Sequence, residues 1–424
     1  MVRNVRFITF RNYFQRQDVD SLLRMKKQSS STHSAQANAI STPVPFLDLA
    51  RQFKTIEKEF LAAVTVVCSS QQYVLGPEVT AFEKEAASYL HVKEAIGCAN
   101  GTDALWLALA ACGIGPGEGV ITTPFTFIAT ASAIHRIGAR PVFADIDPDT
   151  LNLCPRSLET HIQNSRSSKL KALLPVHLYG LCADMDELMR IGDAYKLTVI
   201  EDAAQAFGAT WRGKHAGAIA PISAFSFYPT KNLNCAGDGG MVTTQDPALA
   251  DKVRLLRNYG SPKRYYHDEM GWNSRLDSLQ AAILRVKLKY IDQWNKQRAE
   301  RAAAYDLLLK SAGVLARKGA TESLAPVRTL SSDRHANHVF HQYVIRCERR
   351  DELREFLAER KIGSEIYYPV PLHLQKCFAF LGYAPGSFPE AEKAAQDVLA
   401  LPIYPELTSE EQATVVNAIA DFYS

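Results

Sequence analysis

Apolar positions recur along this chain with two different periods. In "GPEVTAFEKEAASYL" the residues Val79, Phe82, Ala86 and Leu90 fall on one face at helical spacing. Pro77 suits the first turn of that helix. Short apolar runs of strand type follow, alternating with further helical patterns. The runs "AIGC", "GVITT", "RPVFADI", "LKALLPVH" and "LTVIED" read as strands. Between them, "DALWLALAACGI", "FIATASAIHRIG" and "MDELMRIGDAYK" read as helices, the first two ending at Gly113 and Gly138. Strands with no polar face, each followed by a helix, predict an α/β fold with a mostly parallel sheet covered on both sides.

The texture changes after about residue 290. A long charged helix, "YIDQWNKQRAERAAAYDLLLK", leads to "HQYVIRC", "RDELREFLAERK" and a Pro/aromatic segment, "IYYPVPLHL". The expected organisation is a large domain over 43–290 and a smaller α+β domain over 291–424, which suits a chain of 424 residues. Residues 1–42 read as a separate basic, Ser-rich extension. Its first 40 residues hold seven Lys/Arg and two Asp, a charge of +5 in a chain whose total is +3. The stretch lacks the apolar core of a secretory signal. It reads as a disordered tail, or as a start placed too early with Met25 a later candidate. An organelle transit peptide has the same composition.

Charge and cysteines narrow the function classes. A net charge of only +3 gives no reason to expect a nucleic-acid or membrane partner, and no apolar run is long enough to span a bilayer. The eight cysteines are scattered without C-x-x-C or a nearby His at zinc spacing. That points to a reducing, cytoplasmic setting and away from a structural metal.

Ligands of open parallel sheets bind beyond the carboxyl ends of the strands. Four segments lie there. In "CANGTDALWLALA", Gly101 permits close backbone approach, and the first helical amides with the Thr102 hydroxyl can cradle a phosphate. Taken alone, this is equally a capped helix start. In "VIEDAAQAFGA", Asp202 ends a strand and Gln205 follows; the carboxylate can pair with a cationic ring nitrogen or simply cap the next helix. In "AFSFYPTKNLNCAGDGGMV", Lys231 has apolar neighbours Phe225, Phe227, Tyr228 and Pro229, a setting that disfavours the charged amine and suits Schiff-base chemistry. Ser226 lies five residues before it. In "EMGWNSRLDSLQAAILRVKL", Asn273 precedes a helix that otherwise reads as core.

In order and spacing, these segments resemble the DegT/DnrJ/StrS family of nucleotide-sugar aminotransferases, which share the type I pyridoxal-phosphate (PLP) fold. The resemblance runs from "PVPFLDL" to "LALPIYPELT" and includes "PVFADIDPDTLNL", "PVHLYG", "FSFYPTKNL" and "GDGG". It implies that Lys231 carries PLP and later moves the proton. It further implies that Asp202 pairs with the ring nitrogen and Gln205 contacts the ring hydroxyl oxygen. Gly101, Thr102 and Ser226 are to hold the phosphate, and Phe127 is to stack on the ring with Phe125 nearby. Asn273 is to reach the phosphate of a second subunit, which implies a homodimer with shared sites. Tyr228 and His373 fall in segments that line the sugar pocket. Members with His in place of the cofactor lysine carry out dehydration, so Lys231 favours amino transfer. The implied reaction takes an amino group from a donor, L-glutamate, to a nucleotide-linked keto-sugar. The blocks look more like members acting on 3-keto than on 4-keto sugars. A regulatory protein on the same fold is the competing reading. A dinucleotide-binding oxidoreductase is disfavoured because the first strand–helix turn lacks G-x-G-x-x-G.

Overall fold

Helices α1 (Leu49–Ser70) and α2 (Pro77–Leu90) lead into the first strand of a seven-stranded sheet. The computed structural model describes residues 43–164, 169–316 and 325–424. The extension expected over 1–42 lies outside them. The strands are β1 (Glu94–Cys98), β2 (Gly119–Thr122), β3 (Arg140–Phe143), β4 (Leu170–Leu173), β5 (Thr198–Asp202), β6 (Ile222–Ser226) and β7 (Gly240–Thr244). Between them come α3 (Gly101–Ala111), α4 (Ile128–Arg136), α5 (Pro155–Asn164) and α6 (Met185–Tyr195).

The sheet order is β1-β7-β6-β5-β4-β2-β3. The pairs β2/β3, β2/β4, β4/β5 and β5/β6 are parallel. Strand β7 runs antiparallel to both neighbours, β1 and β6. Alternate side chains serve two cores. Ile96, Val120, Ala172, Ile200, Ala224 and Val242 pack on one face with α3 and α4. Ala95, Ile121, Leu173, Val199, Phe225 and Met241 pack on the other with α2 and α6. Burial on both faces explains why these strands read as continuous apolar runs.

Helix α1 and strand β7 are among the elements not expected from the sequence. Helix α1 is amphipathic, but it buries only Gln52, Ile56 and Val67, so its apolar signal is thin. Strand β7 follows the Gly-rich "GDGG", a turn signal that masks the strand behind it.

Helices α7 (Pro247–Leu256), α8 (Ser278–Leu288) and α9 (Ile291–Ser311) follow. A second sheet of three strands joins β8 (Val327–Thr329), β9 (Tyr343–Cys347) and β10 (Val398–Leu401), with β9 central and all pairs antiparallel. Helices α10 (Arg350–Glu359), α11 (Pro389–Asp397) and α12 (Ser409–Phe422) complete the described chain. Residues Pro43–Ser424 form one compact unit containing both of these sheets and a third, small one that joins Ala336–Asn337, Thr210–Trp211 and Lys214–His215. The boundary read at residue 290 falls between α8 and α9.

Candidate active site

Register builds the site before any side chain is considered. Gly240 of β7 pairs with Cys98 of β1 on one side and with Ser226 of β6 on the other. The turn after β1 therefore meets the end of β6 across a residue without a side chain. A Cβ on Gly240 would lie 2.3 Å from the carbonyl carbon and oxygen of Asn100. A Cβ on Gly101 would lie 2.4 Å from the Cβ of Ser226. Both glycines are required by close approach, and both contacts bring the start of α3 against Ser226.

Asn100 caps α3, its Oδ1 accepting the Asp103 amide at 2.8 Å and its carbonyl accepting that of Ala104 at 3.0 Å. The amides of Gly101 and Thr102 are left without an intrahelical acceptor at the positive helix end. With the Thr102 and Ser226 hydroxyls they form a cradle matched to a dianionic phosphate. Gly101, Thr102 and Ser226 line one cavity of about 730 Å³ with Asp202, Gln205 and Lys231.

Asp202 ends β5 and is buried. Its Oδ2 accepts the Thr130 hydroxyl of α4 at 2.8 Å, and its Oδ1 accepts the Ala204 amide at 3.2 Å. Burial pushes its pKa up; those two donors and the Lys231 charge oppose the rise without cancelling it. A cationic partner would complete the compensation that a buried carboxylate needs. Its neighbour Glu201 points to the opposite face and is also buried. Burial raises its pKa too, but His177 at 2.8 Å and the amides of Gly217 and Ala220 outweigh that and hold it below the usual range. Only Asp202, of these two adjacent carboxylates, opens on the cavity.

Lys231 is half-buried in the loop joining β6 to β7. Burial lowers its pKa to about 8, partly offset by the Asp202 carboxylate. Near neutrality it therefore has far more of the nucleophilic free amine than an exposed lysine has. Gln205 is held at both ends: its Oε1 accepts the Tyr179 amide at 2.6 Å and its Nε2 donates to the Tyr368 hydroxyl at 3.1 Å. Tyr179 adopts the left-handed region, with φ of 58°, to present that amide.

Phe127 and Tyr228 are both 54% exposed yet line the cavity, so each offers an aromatic face to a ligand. Phe125 is fully buried behind them, its ring centroid 6.2 Å from that of Tyr368. The structure does not bring every expected residue together. His373 lies outside the lining and is buried, its Nε2 bonded to Glu392 at 3.0 Å and its ring 4.8 Å from that of Phe388. Asn273 is exposed and also outside the lining, bridged to Asn258.

Several cavity residues carried no recognisable local signal. Thr130 lies within an ordinary helical pattern, and only the packing of α4 on the sheet brings it to Asp202. His341, Gln342, Tyr367 and Tyr368 reach the cavity from the C-terminal part of the chain. The Pro/aromatic texture of "IYYPVPLHL" was the one hint for the tyrosines. No helix among the described residues is long and apolar enough to cross a membrane.

Known proteins match this chain over the same span. The model of the DegT/DnrJ/EryC1/StrS aminotransferase family matches residues 54–420. A pleiotropic regulatory protein of Geobacillus stearothermophilus is 48% identical over 380 residues, which are 90% of this chain and cover 98% of that protein. The dTDP-3-amino-3,4,6-trideoxy-alpha-D-glucose transaminase of Streptomyces venezuelae is 44% identical over 381 residues, covering 89% of this chain and 96% of the transaminase. Among solved structures, S. venezuelae DesV in complex with a ketimine intermediate is similar at a TM-score of 0.84 and 43% identity, over 90% of this chain and 99% of DesV.

Proposed function

Because this chain belongs to the DegT/DnrJ/EryC1/StrS aminotransferase family and is a PLP-dependent aminotransferase, we propose that it aminates a nucleotide-linked keto-sugar at C3, with L-glutamate as the amino donor. The observation that carries this reading is the sharing of one cavity by Lys231, Asp202 and the Gly101–Ser226 cradle. The name of the S. venezuelae relative, a dTDP-3-amino sugar transaminase, supports C3 and a nucleotide-linked substrate. The amino sugar would serve polysaccharide, glycan or secondary-metabolite synthesis in the cytoplasm.

When bound, PLP supplies an electron sink for negative charge at the substrate carbon. Gly101, Thr102 and Ser226 would hold its phosphate, and Phe127 would cover its ring. Asp202, kept in place by Thr130 and Ala204, would face the ring nitrogen and keep it protonated. Gln205, fixed by Tyr179 and Tyr368, would face the ring hydroxyl oxygen. Lys231 would hold the cofactor at rest through its Nζ. Once displaced by the amino donor, the same Nζ would carry the proton between the substrate and cofactor carbons. Tyr228, at the open side of the cavity, would border the sugar. Asn273, exposed and outside its own cavity, would complete the phosphate site of a second copy in a homodimer.

A sensor without turnover is the second reading, favoured by the name of the G. stearothermophilus relative. One experiment separates the two: nucleotide-linked 3-keto and 4-keto sugars are offered with glutamate, and products are identified by NMR. A 3-amino sugar formed with 2-oxoglutarate supports the proposal. A 4-amino product corrects the position, and no product from any sugar favours the sensor.

A further inference from the structure

Lys287 is a buried lysine that the chemistry above does not use. It projects from α8, is only 8% exposed, and has no carboxylate partner among the described residues. Its Nζ donates to Asn234 Oδ1. The other face of that amide matters more: Asn234 Nδ2 donates to the backbone carbonyl of Lys231 at 2.8 Å. Around Nζ there are otherwise the Cys235 thiol and the Phe60 ring, whose centroid is 5.9 Å away.

An ammonium donates hydrogen bonds and accepts none. Lys287 therefore dictates which way the Asn234 amide faces. Oδ1 must point at Lys287, and only then does the NH2 point at Lys231. In the flipped amide, two oxygens would meet at the Lys231 carbonyl and two donors at Lys287. Burial lowers the Lys287 pKa to about 8, with Cys235 opposing, so the group is still mainly an ammonium near neutrality. Elsewhere the loop is held by Lys231 N donating to Tyr228 O at 2.8 Å, Cys235 N donating to Phe227 O at 2.7 Å, Asn232 Nδ2 donating to Asn295 Oδ1 and Val339 O, and Ala236 N donating to Gln280 Oε1. Asn234 alone holds the Lys231 carbonyl among the described residues.

We propose that Lys287 is a positioning residue for Lys231, acting by fixing the orientation of the Asn234 amide that holds the Lys231 carbonyl. The inference rests on the reading of Lys231 as the cofactor lysine.

The test uses Lys287→Met, Lys287→Arg, Asn234→Asp and a Lys231→Ala control, each as holoenzyme. Lys287→Arg keeps a donor-only group and should resemble the unaltered protein. Lys287→Met should lower kcat about tenfold with little change in KM, the loss expected when a reacting group is slightly misplaced. It should also shift the pH titration of the lysine–cofactor absorbance and speed hydrogen exchange over residues 227–239 of the apoprotein. Asn234→Asp keeps a partner for Lys287 but cannot donate to the Lys231 carbonyl. It should reproduce the spectral changes and the fall in kcat at little-changed KM, a split that a general loss of stability would not give. Should Lys287→Met not fold, Asn234→Asp decides. Unaltered kcat and titration in Asn234→Asp, or in a folded Lys287→Met, overturn the proposal. If Lys231→Ala retains the absorbance, it is the Lys231 reading that fails.

Discussion

Gly101→Ala isolates the contact on which the phosphate cradle depends. The added Cβ would lie 2.4 Å from Ser226 Cβ, 2.9 Å from its Oγ and 3.0 Å from its Cα. The neighbours have little room to yield, because the register of Cys98, Gly240 and Ser226 fixes both backbones. Overpacking of this kind costs about 1–3 kcal/mol. For a folded chain of this size, with unfolding entropy of about 2.1 cal/mol/K per residue, Tm of the apoprotein should fall by roughly 1–4 °C. Where the apoprotein instead relieves the collision by opening the cradle, the cost falls on binding, and the Kd for PLP should rise by up to about 5- to 150-fold. Differential scanning fluorimetry and a fluorescence titration with PLP measure the two. The steric origin has its own check. Ser226→Gly removes the colliding Cβ, so Gly101→Ala/Ser226→Gly should recover Tm relative to the sum of the single changes. Ser226→Ala retains the Cβ and should give no recovery. The reasoning is refuted if Gly101→Ala leaves Tm and Kd unchanged, or if Ser226→Ala rescues as well as Ser226→Gly.

Four further outcomes are expected. Lys231→Ala should abolish turnover and the lysine–cofactor absorbance, while noncovalent PLP retention by equilibrium dialysis remains measurable; full activity would remove Lys231 from its role. Asp202→Asn should keep the cofactor but slow proton removal from the donor by about 100-fold or more, read in single turnovers, and Thr130→Val should move in the same direction by less, since it strips one donor from Asp202 Oδ2. The rate at which PLP attaches to the apoprotein should climb with pH and level off above about 8, because the free amine of Lys231 is the nucleophile and burial lowers its pKa to that value; a profile still rising steeply at pH 10 would contradict the buried setting.

The parts of the site that could be read from the chain are those carried by a local pattern. Asp202 ends an apolar strand, Lys231 follows an aromatic-rich one, and Gly101 sits between strand and helix, so each announces a place at the carboxyl edge of a sheet. Thr130 does not, since its role depends on how α4 lies across β5. Nothing near Gly240 indicated that β7 would insert between β1 and β6, because its second partner, β1, is far away in sequence. The orientation of His373 depends on long-range packing too. Its segment does approach the cavity, but the bond to Glu392 of α11 turns the side chain into the wall. Helix–strand alternation fixes the sheet and its active edge; which side chains meet there depends on long-range packing.

The antiparallel β7 has a consequence for the order of assembly. The lysine loop is closed locally, by the hairpin in which Ser226 faces Gly240. The cradle is closed only when the same strand pairs with β1, where Cys98 meets Gly240 across a long stretch of intervening chain. Local hairpins form readily, whereas distant closures pay their loop entropy first and come late. A nascent chain therefore has its lysine loop before it has anywhere to put a phosphate. On the proposed reading PLP would bind tightly only to chains that have made this distant connection, and by mass action it would stabilise it. The cofactor would thus act as a latch on that closure as well as a reagent.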